Sequence, residues 1–170
     1  QVIIKEKNKQ QEYVSPLEEE NIDFHIPMGS LPRYLRPDLS AFPKTSAFIK
    51  PNIGLYHKWV NRFNNLGSDI KIGISWRGGS RAYEKRFRST TLKLWNPILQ
   101  SDAQFVNLQY GDCHNEISQV YKSTGITIYD WSDADPSKDL DNFAAQIAAL
   151  DLVITIDNST AHFAGALGIP

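Results

Sequence analysis

The sequence predicts an α/β fold built on a Rossmann-like parallel sheet, and two observations carry that expectation. Beyond Pro51, short apolar runs rich in β-branched residues, such as Ile70 to Trp76 and Leu152 to Ile156, alternate with segments of helical periodicity. Such alternation makes βαβ units, whose right-handed crossovers build a parallel sheet covered on both faces. With 170 residues, 41% of them apolar, the chain can also bury a core of its own.

The elements follow in order. Up to about Pro51, prolines at 16, 27, 32, 37, 43 and 51 remove donors and restrict the residues before them, which predicts loops with short strands. The period-two patch from Ile22 to Ile26 is one candidate strand. Leu55, Trp59, Phe63 and Leu66 share a helical face and Gly67 follows as a stop. Ile70 to Trp76 is the first strand of the sheet. Thr90 or Thr91 can cap a helix bearing Leu92, Trp95, Ile98 and Leu99, with Pro97 tolerated only in its first turns. Gln104 to Gln109 is the second strand. Cys113 to Thr124 is a weaker helix stopped by Gly125, and Ile126 to Tyr129 is the third strand. Asp139 to Leu150 carries Leu140, Phe143, Ile147 and Leu150 on one face, an amphipathic helix. Leu152 to Ile156 is the fourth strand, and Ser159 to Leu167 a last helix stopped by Gly168.

Composition narrows the function classes. Lys plus Arg total 18 and Asp plus Glu 19, a formal charge of −1, which argues against a general binder of nucleic acid or anionic membranes. The single cysteine, Cys113, excludes an internal disulfide framework and a cysteine-rich zinc site. No apolar run reaches the ~18–20 residues that span a bilayer. The best candidate, Ala144 to Ile156, is broken by Gln146 and Asp151. The first residues hold no apolar signal core, so the cytoplasm is the expected compartment. Both ends read as interior to a longer protein, with no initiator Met and a chain that stops just after a helix.

In an open sheet of order 3-2-1-4 the ligand crevice lies at the carboxyl ends of strands one and four. That rule selects Ser75 to Ser80 and Asp157 to His162. The second segment opens a helix with Asn158, Ser159 and Thr160, whose N–H groups lie at the positive end of the helix dipole and can cradle an anion. A simple N-cap accounts for the same residues equally well. Asp157 repels a phosphate and is expected to orient the loop. His162 lies one turn into the helix and is either a crevice residue or a structural histidine.

After strand one, Gly78 and Gly79 allow close backbone approach. Arg77, Arg81, Lys85, Arg86 and Arg88 then form a basic cluster that suits a diphosphate or, equally, a solvated face. Neither G-x-G-x-x-G nor a P-loop is present, and no acidic or histidine cluster has metal-ligand spacing. Trp76, together with Asp130 and Trp131 after strand three, are candidates for base and ribose contact, against a packed Trp and a solvated loop.

Asp157-Asn158-Ser159-Thr160-Ala161-His162-Phe163-Ala164-Gly165-Ala166-Leu167-Gly168-Ile169-Pro170 resembles the D-T/S-G/S-x-x-H-L-A-x-A-L-G-x-P signature of the ADP-heptose lipopolysaccharide heptosyltransferases. Ile72-Gly73-Ile74-Ser75-Trp76-Arg77-Gly78 with Arg88-Ser89, Asn107-Leu108-Gln109-Tyr110-Gly111, Asn142-Phe143 to Val153, and Pro27-Met28-Gly29-Ser30-Leu31-Pro32-Arg33 resemble further stretches of their relatives fused to tetratricopeptide repeats. The likeness runs in consistent order from about Ile22 to Pro170.

The resemblance implies the GT-B fold, two Rossmann-like domains across a cleft. Residues 1–54 would be the tail of the amino-terminal, acceptor-side domain with its linker, and 55–170 the front of the donor-binding domain. It implies a nucleotide-diphosphate sugar as donor, ADP-sugar favoured, with no cofactor and no required metal. Trp76, Arg77, Gly78, Arg88, Asn158, Ser159, Thr160 and His162 would bind the donor diphosphate, with Asp157 orienting the loop and Asp130 and Trp131 near the nucleoside. Transfer would invert the anomeric carbon, the base coming from the other domain, so this piece alone would be inactive. The acceptor would be a glycan, a lipid-linked sugar or a protein, in the cytoplasm or at the inner membrane's surface. Asn158 departs from the signature, which places a hydroxyl residue there, and Asn142 replaces its Asp. That departure keeps open a non-catalytic nucleotide or anion module, and the basic cluster keeps open a scaffold for an acidic partner. Sheet edges exposed by truncation are expected to promote self-association.

Overall fold

The computed structural model describes residues 25–42, 44, 47–67, 69–79 and 82–170, the side chains of 82–84 excepted. The chain divides into two units, Gln1–Lys44 and Thr45–Pro170.

In the first unit the described residues form helical turns where the prolines predicted short strands. A 3-10 turn over Met28–Ser30 leads into α1 (Pro32–Leu35), and a second 3-10 turn covers Leu39–Ala41. The reason is local. Pro32 occupies the first turn of α1, where its missing N–H costs nothing, and the Asp38 carboxylate caps the second 3-10 turn by accepting from Ala41 N at 3.1 Å. The predicted strand at 22–26 lies mostly outside the described residues, and His25 and Ile26 belong to no regular element.

The second unit is α/β, with a four-stranded, all-parallel sheet of order β3-β2-β1-β4 among the described residues. Its strands are β1 (Ile70–Ser75), β2 (Ala103–Asn107), β3 (Ile128–Tyr129) and β4 (Leu152–Thr155). This is the predicted order. The helices are α2 (Ile53–Asn64), α3 (Ala82–Phe87), α4 (Asn96–Leu99), α5 (His114–Thr124), α6 (Leu140–Ala148) and α7 (Ser159–Leu167). Asn52 and Asp139 cap α2 and α6 through their side chains, while Gly125 and Gly168 end α5 and α7 at φ 76° and 75°.

Two predicted elements differ. The single helix expected after Thr91 is split into a 3-10 turn over Leu92–Trp95 followed by α4, because Pro97 has no N–H to continue a helix begun earlier and Thr91 makes no capping bond. The basic stretch read as a loop contains α3, whose Ala, Glu, Lys and Arg favour a helix without any apolar period.

Alternation along the strands sends side chains to two cores. Val106 and Leu108 pack with Trp59 and Phe63 of α2, Phe143 and Ile147 of α6, and Leu167 of α7. Ile72, Ile74, Phe105 and Ile128 pack on the other face with Leu92, Trp95, Leu99 and Val120 of α5. Gly73 lets the core close on β1: a Cβ there would collide with Leu108 and Leu150.

Candidate nucleotide site at the carboxyl ends of the sheet

Strands β1 and β4 lie side by side with Ser75 opposite Thr155, so the loops that follow them meet. Asn158 joins them. Its Oδ1 accepts from Thr160 N at 2.9 Å, capping α7, and from Thr155 Oγ1 at 3.0 Å. Its Nδ2 donates to Ser75 Oγ at 2.9 Å and to Arg77 O at 3.3 Å. Gln109, just past β2, completes the lattice: its Oε1 accepts from Ser75 Oγ at 3.3 Å, Trp76 N at 3.0 Å and Arg77 N at 2.7 Å. All three side chains are buried, so the ends of three strands are tied by satisfied polar groups.

A second local fold brings the basic residues in. Arg77 and Ser89 form an antiparallel bridge, Thr90 N donates to Trp76 O at 2.9 Å, and Ser89 Oγ both accepts from Gly78 N and donates to Gly78 O at 3.2 Å. Gly78 permits this: a Cβ there would stand 2.8 Å from Ile156 Cδ1 and 3.0 Å from Arg88 O. Returning on that bridge, Arg88 Nη2 reaches Asp157 O at 2.8 Å and Asp157 Oδ2 at 3.0 Å.

The result is an open helix N-terminus. The first N–H groups of a helix have no intrahelical partner. In α7 that of Thr160 is taken by Asn158, leaving those of Ser159 and Ala161 on exposed residues, with exposed His162 one turn along. The Thr160 side chain faces inward, its Oγ1 buried without a partner among the described residues. Trp76 is 0% exposed and its Nε1 donates to Glu116 Oε1 at 2.9 Å, so its indole belongs to the core rather than the open face. The Arg77 guanidinium turns toward α5, where Nη2 donates to Asp112 O at 2.8 Å and pairs with Glu116 Oε2 at 3.1 Å. Its Nε is buried without a partner among the described residues.

Beyond Gln109, at the ends of β2 and β3, lies a cleft of about 330 Å³ lined in part by Asn107, Asp112, Asp130, Trp131, Asp135 and Lys138. Asp130 Oδ1 accepts from Asn107 Nδ2 at 2.9 Å, and Oδ2 lies 3.2 Å from His114 Nδ1. Trp131 lines it too, its ring stacked on Tyr129 and edge-on to Trp59. Cys113 forms part of the wall with its thiol buried. Burial, and then the neighbouring Asp130 charge, push its pKa up to about 11. The two halves differ in make-up: free N–H groups and the Arg88–Asp157 pair at α7, and Asp112, Asp130 and Asp135 with Lys138 in the cleft.

Sequence reasoning missed Gln109 and Glu116 as site-forming residues; of the two, Gln109 had a signal, its place at the carboxyl end of a strand. Ser75 falls in the segment that the switch-point rule selected, and the structure gives it the bonds to Asn158 and Gln109. Arg81 and Ser80 lie outside the described residues. Among the described residues no group of three or more His, Cys, Asp or Glu is placed to hold a metal ion, and no helix is long and apolar enough to cross a membrane.

No family model matches the chain. Protein FlbA of Caulobacter vibrioides is 36% identical over 152 residues, covering 89% of this chain and 26% of FlbA, so the chain spans about a quarter of that relative's length. Among solved structures, E. coli ADP-heptose LPS heptosyltransferase II is similar over 77% of this chain and 40% of its own, at 17% identity and a TM-score of 0.46.

Proposed function

We propose that this chain is the nucleotide-diphosphate-sugar-binding portion of an inverting, metal-independent glycosyltransferase of the heptosyltransferase kind, in its tetratricopeptide-linked branch. One observation carries the reading: an open helix N-terminus lies at the switch point of a parallel sheet, where such sheets take nucleotides, and a cleft lined by Asp112, Asp130 and Asp135 lies at the ends of the neighbouring strands β2 and β3. The signature-like run from Asp157 to Pro170 falls on that helix.

The diphosphate lies on the Ser159 and Ala161 N–H groups beside Arg88, with Arg77 and His162 at its flanks. The nucleoside enters the cleft, where Asp130 and Asp112 accept from ribose hydroxyls and Trp131 forms a wall. As the anomeric bond breaks, charge grows on the departing diphosphate. The helix N-terminus and the arginines stabilise it without reorganising. Asp157, held by Arg88, and Asn158 orient the loop, and Trp76 and Gly78 act through packing. A carboxylate of a facing acceptor domain serves as base, so this chain alone transfers nothing. ADP-sugar is the favoured donor, and the acceptor is a glycan, a lipid-linked sugar or a protein at or near the cytoplasmic membrane face.

The test is calorimetric titration of the full-length protein with ADP, GDP, UDP, AMP and pyrophosphate, repeated with Ser159→Glu. Selective diphosphate binding that the variant loses is the expected result. Nucleotide binding without transfer to any acceptor favours the non-catalytic module that the Asn158 departure suggests, and absence of nucleotide binding overturns the proposal.

A further inference from the structure

The loop after β3 is gripped from the side away from the cleft. Asp133 Oδ1 accepts from Arg62 Nη1 at 2.8 Å, and Oδ2 accepts from Arg62 Nη2 at 3.0 Å and Lys58 Nζ at 2.9 Å. Its backbone O accepts from Asn142 Nδ2 at 2.7 Å, while Asn142 Oδ1 accepts from Trp59 Nε1 at 2.8 Å. The Arg62 guanidinium also lies 4.5 Å from the Trp59 ring centroid and 5.3 Å from that of Trp131. Arg62 lies four residues after Lys58 and three after Trp59, so on α2 its side chain neighbours both. Trp131, Ser132, Ala134, Asp135 and Pro136 line the cleft; Asp133, in their midst, points the other way.

We propose that Asp133 is a positioning residue for nucleoside recognition: clamped by Arg62 and Lys58, it holds the flanking residues of its loop in the shape the nucleoside requires, while touching no ligand itself. The inference rests on the proposed function. An arginine fork fixes a carboxylate in both position and orientation, which a single point charge does not. The fork and the Asn142 bond together grip both the side chain and the backbone of one residue. Without them the middle of the loop between β3 and α6 is held, among the described residues, only from its β3 end, by the Asp130 contacts with Asn107 and His114 and by the packing of Trp131 and Ala134 on the core. The anion site at α7 is built from different strands and different hydrogen bonds, so a loosened cleft loop leaves it intact. That separation gives the test its contrast.

The full-length protein, wild type and with Asp133→Asn, Arg62→Ala or both, is titrated with two probes. One is pyrophosphate, which reads the α7 site alone; the other is whichever of ADP, GDP or UDP the wild type binds best. Each single variant is expected to weaken the nucleotide at least tenfold and to leave pyrophosphate within twofold, and the double variant to be no weaker than the weaker single one. Unchanged nucleotide affinity in Asp133→Asn overturns the inference, and so does an equal loss on both probes, which is general loosening of the fold. A wild type that binds pyrophosphate but no nucleotide removes the nucleoside cleft and the inference with it. A wild type that binds neither overturns the proposed function.

Discussion

Asn158 donates to Ser75 Oγ at 2.9 Å across 83 residues of sequence, and through that bond the loop that opens α7 is fixed to the end of β1. The same amide caps α7, so one buried side chain both shapes the crevice and orients the helix that faces it.

Two substitutions at Asn158 separate those roles. Asn158→Ala removes the cap and leaves Ser75 and Arg77 O short of a donor, at an expected cost of about 1–3 kcal/mol in urea denaturation. Asn158→Asp keeps the cap acceptor, loses the donor to Ser75 Oγ and Arg77 O, and sets a full negative charge beside the free N–H groups of α7. It is expected to weaken pyrophosphate by about tenfold, roughly 1.4 kcal/mol. Equal pyrophosphate affinity in Asn158→Asp and wild type would place the anion elsewhere.

Gly78→Ala tests the close approach of the two loops. A Cβ there meets Ile156 and the Arg88 carbonyl, and the bridged segment must move out. The expected loss is about 1–3 kcal/mol of stability, as for overpacking in a closed site. Arg88 leaves Asp157 with it, so anion affinity falls by the same amount as in Arg88→Ala; parallel titrations of the two variants check this.

Arg88→Ala and Arg77→Ala are each expected to weaken diphosphate binding by about 1.5–3 kcal/mol, the range of hydrogen bonds to a charged partner. Arg77 acts from the α5 side, where it also holds Glu116, so its loss is also expected to expose Trp76 and raise its fluorescence quenching by iodide. Affinity changes of a few tenths in both would return the basic residues to a solvated face.

Asp133 predicts an acid limb. Hydrogen bonds from Arg62 and then Lys58 hold its carboxyl below the usual carboxylate range. A depressed carboxylate adds stability that is complete above its unfolded pKa, near ~4, and is lost as pH falls through the folded value. The difference in stability between wild type and Asp133→Asn is therefore constant above about pH 5 and shrinks below about pH 4. With the side chain 45% exposed, solvent keeps that difference small. Urea midpoints between pH 2 and 7 measure it, and parallel curves across the range would contradict the pairing.

The strands and the position of α7 were legible because they rest on local signals, apolar runs, capping Asn158 and terminal Gly168, and the sheet order followed from the topology that right-handed βαβ crossovers impose. Helix α3 was not, since Ala82 to Phe87 carries helix formers without an apolar face, and Pro97 divided what Leu92 to Leu99 suggested was one helix. The sites were half legible for a different reason. A switch-point rule finds the loops, but partners such as Gln109 for Ser75, 34 residues apart, or Arg62 for Asp133, 71 apart, exist only once the chain is folded. Trp76 and Asn158 show the same limit from the other side: each belongs to the predicted site, yet the indole of one and the amide of the other serve the scaffold.

Cys113 gives the molecule a built-in clock. Its thiol, the only one in the sequence, is 4% exposed and held un-ionised by burial, so alkylating reagents meet it only when the wall between β2 and α5 opens. The rate at which iodoacetamide consumes that single thiol reads the population of the opened cleft in solution, and any ligand that seats there slows the clock.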